Sequence, residues 1–464
     1  MRHSIYPARL TRSWRAHLLA AALLLSVVSV PGCTASSGTT ARGTAAAGGR
    51  ATPAGVVSDC LLPPVSCYAP RLFRVEYGIQ PLLDMGIGGR GETVTVLAPA
   101  PSPSPAPRSA PSPGGRGRGP GGAFPAATDI RQDLAAFDTM FRLPAARIQV
   151  VLTRAGEGSP WQAAGEEIQD TEIVHAVAPA ATVRVVLLPA SVLDSAATAT
   201  AGMLAGLRLA VSGTDVAVIS FSLGEHYFTR AQAAQMHSIL LGAAAQHVTV
   251  VAGSGDNGGF SDADFGDTAV KEVSLPASDP LVLAAGGTTL TANPSPAAYV
   301  SESAWNGQAG LVLTNGASGG GFSHLYARPA YQGGVHGIST MRGVPDVAGD
   351  ADQKGGWAFA FTSGSKTWII QAFGTSASAS LWGGLMALAG QYAHHGLGFV
   401  NPAIYRIARG SSYHKAFHDI TAGSNIVAMP YPAGTAGYQA GPGWDPVTGW
   451  GTPDAQVLVP LLAG

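Results

Sequence analysis

The chain has 464 residues, a formal net charge of −1, and charged side chains at only 12% of positions, where about 25% is usual. The lack of a basic surplus argues against a nucleic-acid binder. Low charge density also leaves few carboxylates whose protonation in acid would produce self-repulsion.

Residues 1–33 read as an export signal, with Arg2, Arg9, Arg12 and Arg15 preceding an apolar stretch from His17 to Val30 that is too short for a spanning helix. Val-Pro-Gly-Cys at 30–33 resembles a bacterial lipoprotein cleavage box with Cys33 as the acylated residue; plain secretion is the alternative. The expected location is extracellular or at the cell surface, with any membrane contact made through the lipid on Cys33. Residues 34–58, rich in Ala, Gly, Ser and Thr, cannot build a core and read as a flexible tether. With Cys33 set aside, Cys60 and Cys67 remain as a pair across a short Pro-containing loop, in a compartment that permits a disulfide; two free thiols are the alternative.

Residues 59–464 are long enough for one large domain. Apolar strands at Thr93–Leu97, Val183–Leu188, Val216–Phe221 and Val248–Ala252 alternate with helical stretches. Such runs suit a mainly parallel α/β sheet covered by helices on both faces, with functional loops at the strand ends. Residues 99–125, dominated by Pro, Gly and Ser, read as a flexible insertion, because that composition cannot repay its ordering entropy by burial.

Four places carry candidate chemistry. The apolar positions Ile168, Ile173, Val174 and Val177 predict a helix ending before Pro179. It sets Glu166 and Asp170 one turn apart on one face, where two like charges repel unless something compensates. In a cleft such a pair shares a proton; on a surface it is a solvated acidic face, the reading given to Glu167 and Glu172. His175 on the same helix reads as a structural or surface histidine. Ser222 and Gly224, in Ser-Phe-Ser-Leu-Gly, are placed at a strand edge able to pair with an extended peptide. The strand Val248–Ala252 runs into a Gly-rich loop carrying Asp256, either an Asx-turn residue or a carboxylic acid able to donate to an oxyanion. Ser376, in Gly-Thr-Ser-Ala-Ser-Ala-Ser, opens a helix whose free N–H groups favour developing negative charge.

Taken in order, these motifs resemble the sedolisin family, the serine-carboxyl peptidases with a subtilisin-like fold in which Glu, Asp and Ser replace Asp-His-Ser. The resemblance spans roughly residues 66–462. It also includes Tyr-Ala-Pro-Arg-Leu-Phe-Arg-Val-Glu-Tyr-Gly-Ile (68–79), Ala-Ala-Gly-Gly-Thr-Thr-Leu (284–290), Gly-Gly-Gly-Phe-Ser (319–323), Arg-Gly-Val-Pro-Asp-Val-Ala-Gly-Asp-Ala-Asp (342–352) and Gly-Trp-Asp-Pro-Val-Thr-Gly-Trp-Gly-Thr-Pro (443–453). Ser380 stands where the family usually has proline, and Gly253 where it more often has serine. Because the matching pattern begins so soon after the signal, the resemblance implies a bacterial member without the family's long prodomain, or one whose folding is assisted otherwise.

The resemblance implies a three-layer subtilisin-like sandwich and an endopeptidase acting on polypeptides at acidic pH through an acyl-enzyme. It implies Ser376 as nucleophile, Glu166 as general base, Asp170 as its support and Asp256 as oxyanion donor. It further implies one structural Ca²⁺ held by Asp419, Asp445 and the carbonyls of Ile420, Gly441 and Gly443, an all-oxygen set suited to that ion. A monomer is expected. The alternatives are a catalytically silent cell-surface binding protein on the same fold, and a hydrolase using a histidine such as His175 as its base.

Overall fold

The strands that position the site are β1 (Thr93–Pro99), β2 (Arg147–Leu152), β3 (Thr182–Leu188), β4 (Val216–Ile219), β5 (Thr249–Gly253), β6 (Leu283–Pro294), β7 (Ala297–Ala304) and β8 (Val347–Asp350). They form one sheet in the order β7-β6-β5-β4-β1-β3-β2, with β8 also paired to β6. Every pairing is parallel except β6 with β7. The structure is a computed structural model describing residues 56–57, 67–100, 128–152, 162–163, 165–261, 265, 270–294, 297–307, 316–363, 366–429 and 434–464. The export signal, Cys33, Cys60, most of the tether and most of the 99–125 insertion lie outside the described residues.

Side-chain alternation divides the sheet's two faces between two cores. Val216 and Val218 of β4 join Val94, Val96, Val183, Val185, Val251 and Leu283 on one side. Ala217 and Ile219 join Leu97, Val186, Leu188, Val250 and Ala252 on the other. The first face is covered by α1 (Pro70–Glu76), α2 (Ile130–Phe141), α3 (Gly165–Val177), α6 (Thr375–Ala393) and α7 (Ala455–Leu462). The second is covered by α4 (Ala196–Ala210) and α5 (Arg230–Ala245), each started by a capping box, Ser195 with Thr198 and Thr229 with Gln232. This is the expected α/β sandwich. The strand expected at Val216–Phe221 ends at Ile219, and that expected at Val248–Ala252 runs from Thr249 to Gly253.

The sequence of α6 is largely small or apolar, and Thr375 through Gly390 are buried, so only its last turn meets solvent. A Cβ at Gly383 would lie 2.2 Å from Val218 Cγ2, and one at Gly384 would lie 2.6 Å from Val177 Cβ. Bare backbone at these two positions lets α6 press against both β4 and α3. The other side of α3 packs on the strand Ala358–Ser363 and on α2.

This sandwiching corrects one expectation. Glu167 and Glu172 are buried rather than part of a solvated acidic face, because α3 has protein on both sides. Glu172 Oε2 accepts the Ala360 N–H at 2.7 Å. Burial, then the charges of Asp133 and Asp138, push its carboxyl well above the usual carboxylate range. Among the described residues no helix is long and apolar enough to cross a membrane.

Candidate active site

The loop after β5, the first turns of α3 and the start of α6 bring four candidate side chains together. Gly374, with φ of +92°, turns the chain into α6 and puts Ser376 in its first turn. Asp256 Oδ1 accepts the Thr375 N–H at 2.8 Å and the Thr375 hydroxyl at 2.9 Å. A Cβ placed on Gly374 would lie 2.9 Å from Asp256 Oδ2 and 3.3 Å from Ser376 Oγ, so these two oxygens flank one small volume that only glycine leaves open.

Ser376 is buried, and its hydroxyl lies close enough to the Glu166 carboxyl to pull that carboxyl down. Glu166 is exposed by surface area, yet the protein packed around its carboxyl makes lost hydration the largest influence on it. That loss, then the Asp170 and Asp256 charges, raise it well above the usual carboxylate range, opposed by the Ser376 hydroxyl. Asp170 is fully buried, and burial pushes it up to about 6. The Ser220 and Ser380 hydroxyls and the Gln169 amide lie close enough to oppose that rise, but none reaches hydrogen-bond geometry with its oxygens. Two carboxyls both driven toward protonation, one turn apart, form an arrangement suited to holding a single proton between them.

Sequence reasoning passed over Gln169. Its Nε2 donates to Ser376 Oγ at 3.3 Å and to the Phe373 carbonyl at 3.1 Å, while its Oε1 accepts the Phe373 N–H at 3.1 Å. The available signal was its place between Glu166 and Asp170, an amide in an otherwise apolar or acidic turn. His175 is fully buried, and its Nε2 faces the Pro144 carbonyl at 3.0 Å and Asp138 Oδ1 at 2.9 Å. Among the described residues no histidine hydrogen-bonds to Ser376.

Ser222 precedes the short strand Leu223–Gly224, which pairs antiparallel with Ser274–Leu275, so one side of the expected peptide-binding edge is already occupied. Asp419 and Asp445 meet at the loop Gly441–Gly443. Gly443 N–H donates to both Asp419 oxygens, at 3.1 and 3.0 Å, and Gly441 N–H donates to Asp445 Oδ2 at 3.1 Å. Ile420 is buried beside Asp419. Burial raises Asp445 to about 6 against the pull of the Thr448, Gly441 and Val447 N–H groups. The Tyr413 phenol is raised first by burial and then by the charges of both aspartates. The oxygen-rich donor set fits a hard divalent cation. Cys67 is buried and disulfide-bonded, while its expected partner Cys60 lies outside the described residues.

No protein-family model matches the chain. It is 35% identical to kumamolisin of Bacillus sp. (strain MN-32) over 313 residues, 65% of this chain and 51% of the relative. It is 33% identical to sedolisin of Pseudomonas sp. (strain 101) over 338 residues, 70% of this chain and 54% of the relative. The chain thus spans about half the length of the curated relatives it matches. The solved structure of Pseudomonas sedolisin, a serine-carboxyl proteinase complexed with two molecules of pseudo-iodotyrostatin, superposes with a TM-score of 0.65 at 26% identity, covering 84% of this chain and 96% of that one. On shared architecture and sequence together, the chain belongs to the sedolisin family.

Proposed function

We propose that this protein is an exported serine-carboxyl endopeptidase that hydrolyses polypeptides in acid through an acyl-enzyme. The observation that carries the reading is the Ser376 hydroxyl flanking one small volume with Asp256 Oδ2, beside the Glu166 carboxyl and with Asp170 buried one helical turn from Glu166. Glu166 takes the Ser376 proton as Oγ attacks the scissile carbonyl, and Asp170 holds Glu166 through the proton they share. The tetrahedral oxyanion is met by the Ser376 N–H and by the protonated Asp256 carboxyl. Its collapse breaks the C–N bond, and Glu166 returns the proton to the leaving amine. Water then attacks the ester, with Glu166 again as base, and frees Ser376.

The chemistry sets its own pH window. The Glu166–Asp170 pair must have lost one of its two protons, while Asp256 must have kept its own. An ionised Asp256 would repel the oxyanion, so activity fades toward neutral pH. The signal-like sequence of residues 1–33 supports export, and Cys33 is proposed as a lipid anchor. Asp419, Asp445 and the carbonyls of Ile420, Gly441 and Gly443 would hold a Ca²⁺ ion that braces the C-terminal loops and takes no part in bond breaking. Ser222 and Gly224 are proposed to border the peptide cleft.

The test is digestion of a denatured protein across pH 3 to 8 by the purified chain and its Ser376→Ala variant. Cleavage confined to acid and lost in the variant is expected. A folded protein that cleaves nothing at any pH would favour the binding-protein reading.

A further inference from the structure

Beside the strand Leu223–Gly224 lies a cluster of side chains that the peptidase chemistry does not use. Glu225 and Glu272 are both buried, and His324 stands on the strand Gly321–Ala327 with its side chain 63% exposed. One ligand atom from each of these three residues falls within 4.8 Å of the others. Glu272 Oε2 lies 3.9 Å from His324 Nδ1, too far for a hydrogen bond. In a tetrahedral site with bonds of about 2.0 Å, two ligand atoms stand roughly 3.3 Å apart, a gap that a small swing of the exposed imidazole closes.

The surrounding bonds hold the carboxylates rather than consume them. Glu225 accepts the Ser323 hydroxyl at 2.5 Å on Oε1 and the His324 N–H at 2.7 Å on Oε2. Glu272 Oε1 accepts the His226 N–H at 3.0 Å and also contacts His226 Nδ1. Each carboxylate oxygen has two lone pairs, so the Glu225 oxygens, with one donor each, keep capacity for an ion, while His226 engages Glu272 on Oε1 and leaves Oε2 facing His324. Among the described residues, no lysine or arginine bridges either glutamate; their partners are histidines, serine and backbone. An independent sign comes from Ser278. It is fully buried and turns its Oγ toward Glu225, yet that oxygen reaches no hydrogen-bond partner. Two buried carboxylates close together, with a buried hydroxyl beside one of them that reaches no hydrogen-bond partner, favour a cation between them.

We infer that Glu225, Glu272 and His324 form a site for a borderline divalent cation of the zinc type, distinct from the Asp419/Asp445 loop. Imidazole nitrogen beside two carboxylates selects Zn²⁺ over Ca²⁺, which prefers oxygen donors alone. Three protein ligands leave the fourth position to water. The ion would tie the turn after Leu223–Gly224 to the strand Gly321–Ala327, and His226 would fix the Glu272 carboxylate by its contact with Oε1.

The test is equilibrium dialysis of the full chain against Zn²⁺ at neutral pH. Saturating Ca²⁺ keeps the Asp419/Asp445 loop filled, and a Ser376→Ala background prevents self-digestion. One Zn²⁺ per chain is expected. Both Glu272→Gln and His324→Ala should weaken binding by about tenfold or more, whereas His414→Ala, on an exposed histidine elsewhere, should leave it unchanged. His324 is exposed enough for its variant to fold, which circular dichroism verifies. Zinc binding unaltered in both variants, or no binding by the parent chain, would overturn the site.

Discussion

Asp256 and Thr375 are joined twice, because one carboxylate oxygen accepts both the backbone N–H and the hydroxyl of the residue immediately before Ser376. Oδ1 is thereby tied to the start of α6, and Oδ2 faces the small volume beside Gly374 and Ser376 Oγ. Gly374→Ala fills that volume and strains a backbone held at φ of +92°. The strain costs about 1–3 kcal/mol. The intrusion should lower kcat by about 10²-fold or more, the scale for loss of one oxyanion donor. Steady-state kinetics beside a thermal melt will separate the two effects. Unchanged kcat would remove Asp256 Oδ2 from the reaction.

Substituting Asp256 tests the descending side of the pH profile. Asn can accept the Thr375 bonds on its oxygen and donate from its amide at any pH. Asp256→Asn should therefore retain measurable turnover and extend it toward neutral pH, while Asp256→Ala loses it throughout. Identical profile shapes for Asp256→Asn and the parent would show that another group sets this limb.

Gln169 makes a different prediction. Its paired bonds to Phe373 hold the chain leading into Gly374, and its contact with Ser376 Oγ leaves the hydroxyl proton free to point at Glu166. Gln169→Leu keeps the volume and deletes all three bonds, each worth about 1 kcal/mol. A loss of roughly tenfold or more in kcat is expected, with KM little changed. A purely structural role would lower the melting temperature and leave kcat per folded molecule unaltered.

The Glu166/Asp170 spacing and the Ser376 turn were legible because a helix period and a glycine before a helix start are local signals. Gln169 was not, since its role depends on Phe373, which lies 204 positions away in sequence. Glu167 and Glu172 misled for a related reason. An acidic stretch reads as solvated until the hairpin at Ala358–Gln371 covers it, and nothing in residues 165–179 announces that cover. The alternation of Val216, Ala217, Val218 and Ile219 between two cores was foreshadowed by their uniform hydrophobicity.

Buried acids also set how stability responds to pH. Burial raises Asp170 from 3.8 to about 6 and Glu76 from 4.5 to about 7. The folded chain therefore keeps these protons to higher pH than the unfolded chain does. Their contribution is complete below the unfolded values and is lost as pH climbs through the folded ones. The melting temperature should fall between about pH 4 and pH 7, and Glu76→Gln should flatten that decline. A melting temperature that rises across this interval in the parent chain would contradict the assignment.

Calcium removal separates two readings of the C-terminal loops. Asp445 accepts the Val447 and Thr448 N–H groups at 2.8 Å each and the Thr448 hydroxyl at 3.0 Å, which is what a turn-forming aspartate does without metal. Asp419, by contrast, bonds in this loop only to the Gly443 N–H, which leaves most of its lone pairs for another partner. If the pair holds Ca²⁺, EDTA lowers the melting temperature, added Ca²⁺ restores it, and Asp419→Asn abolishes the response while leaving the Asp445 turn intact. If both are turn residues only, EDTA changes neither melting nor metal content, and Asp445→Ala destabilises far more than Asp419→Ala. Melting curves with and without EDTA, beside elemental analysis of the purified chain, decide between them, and the expected result is the calcium-dependent one.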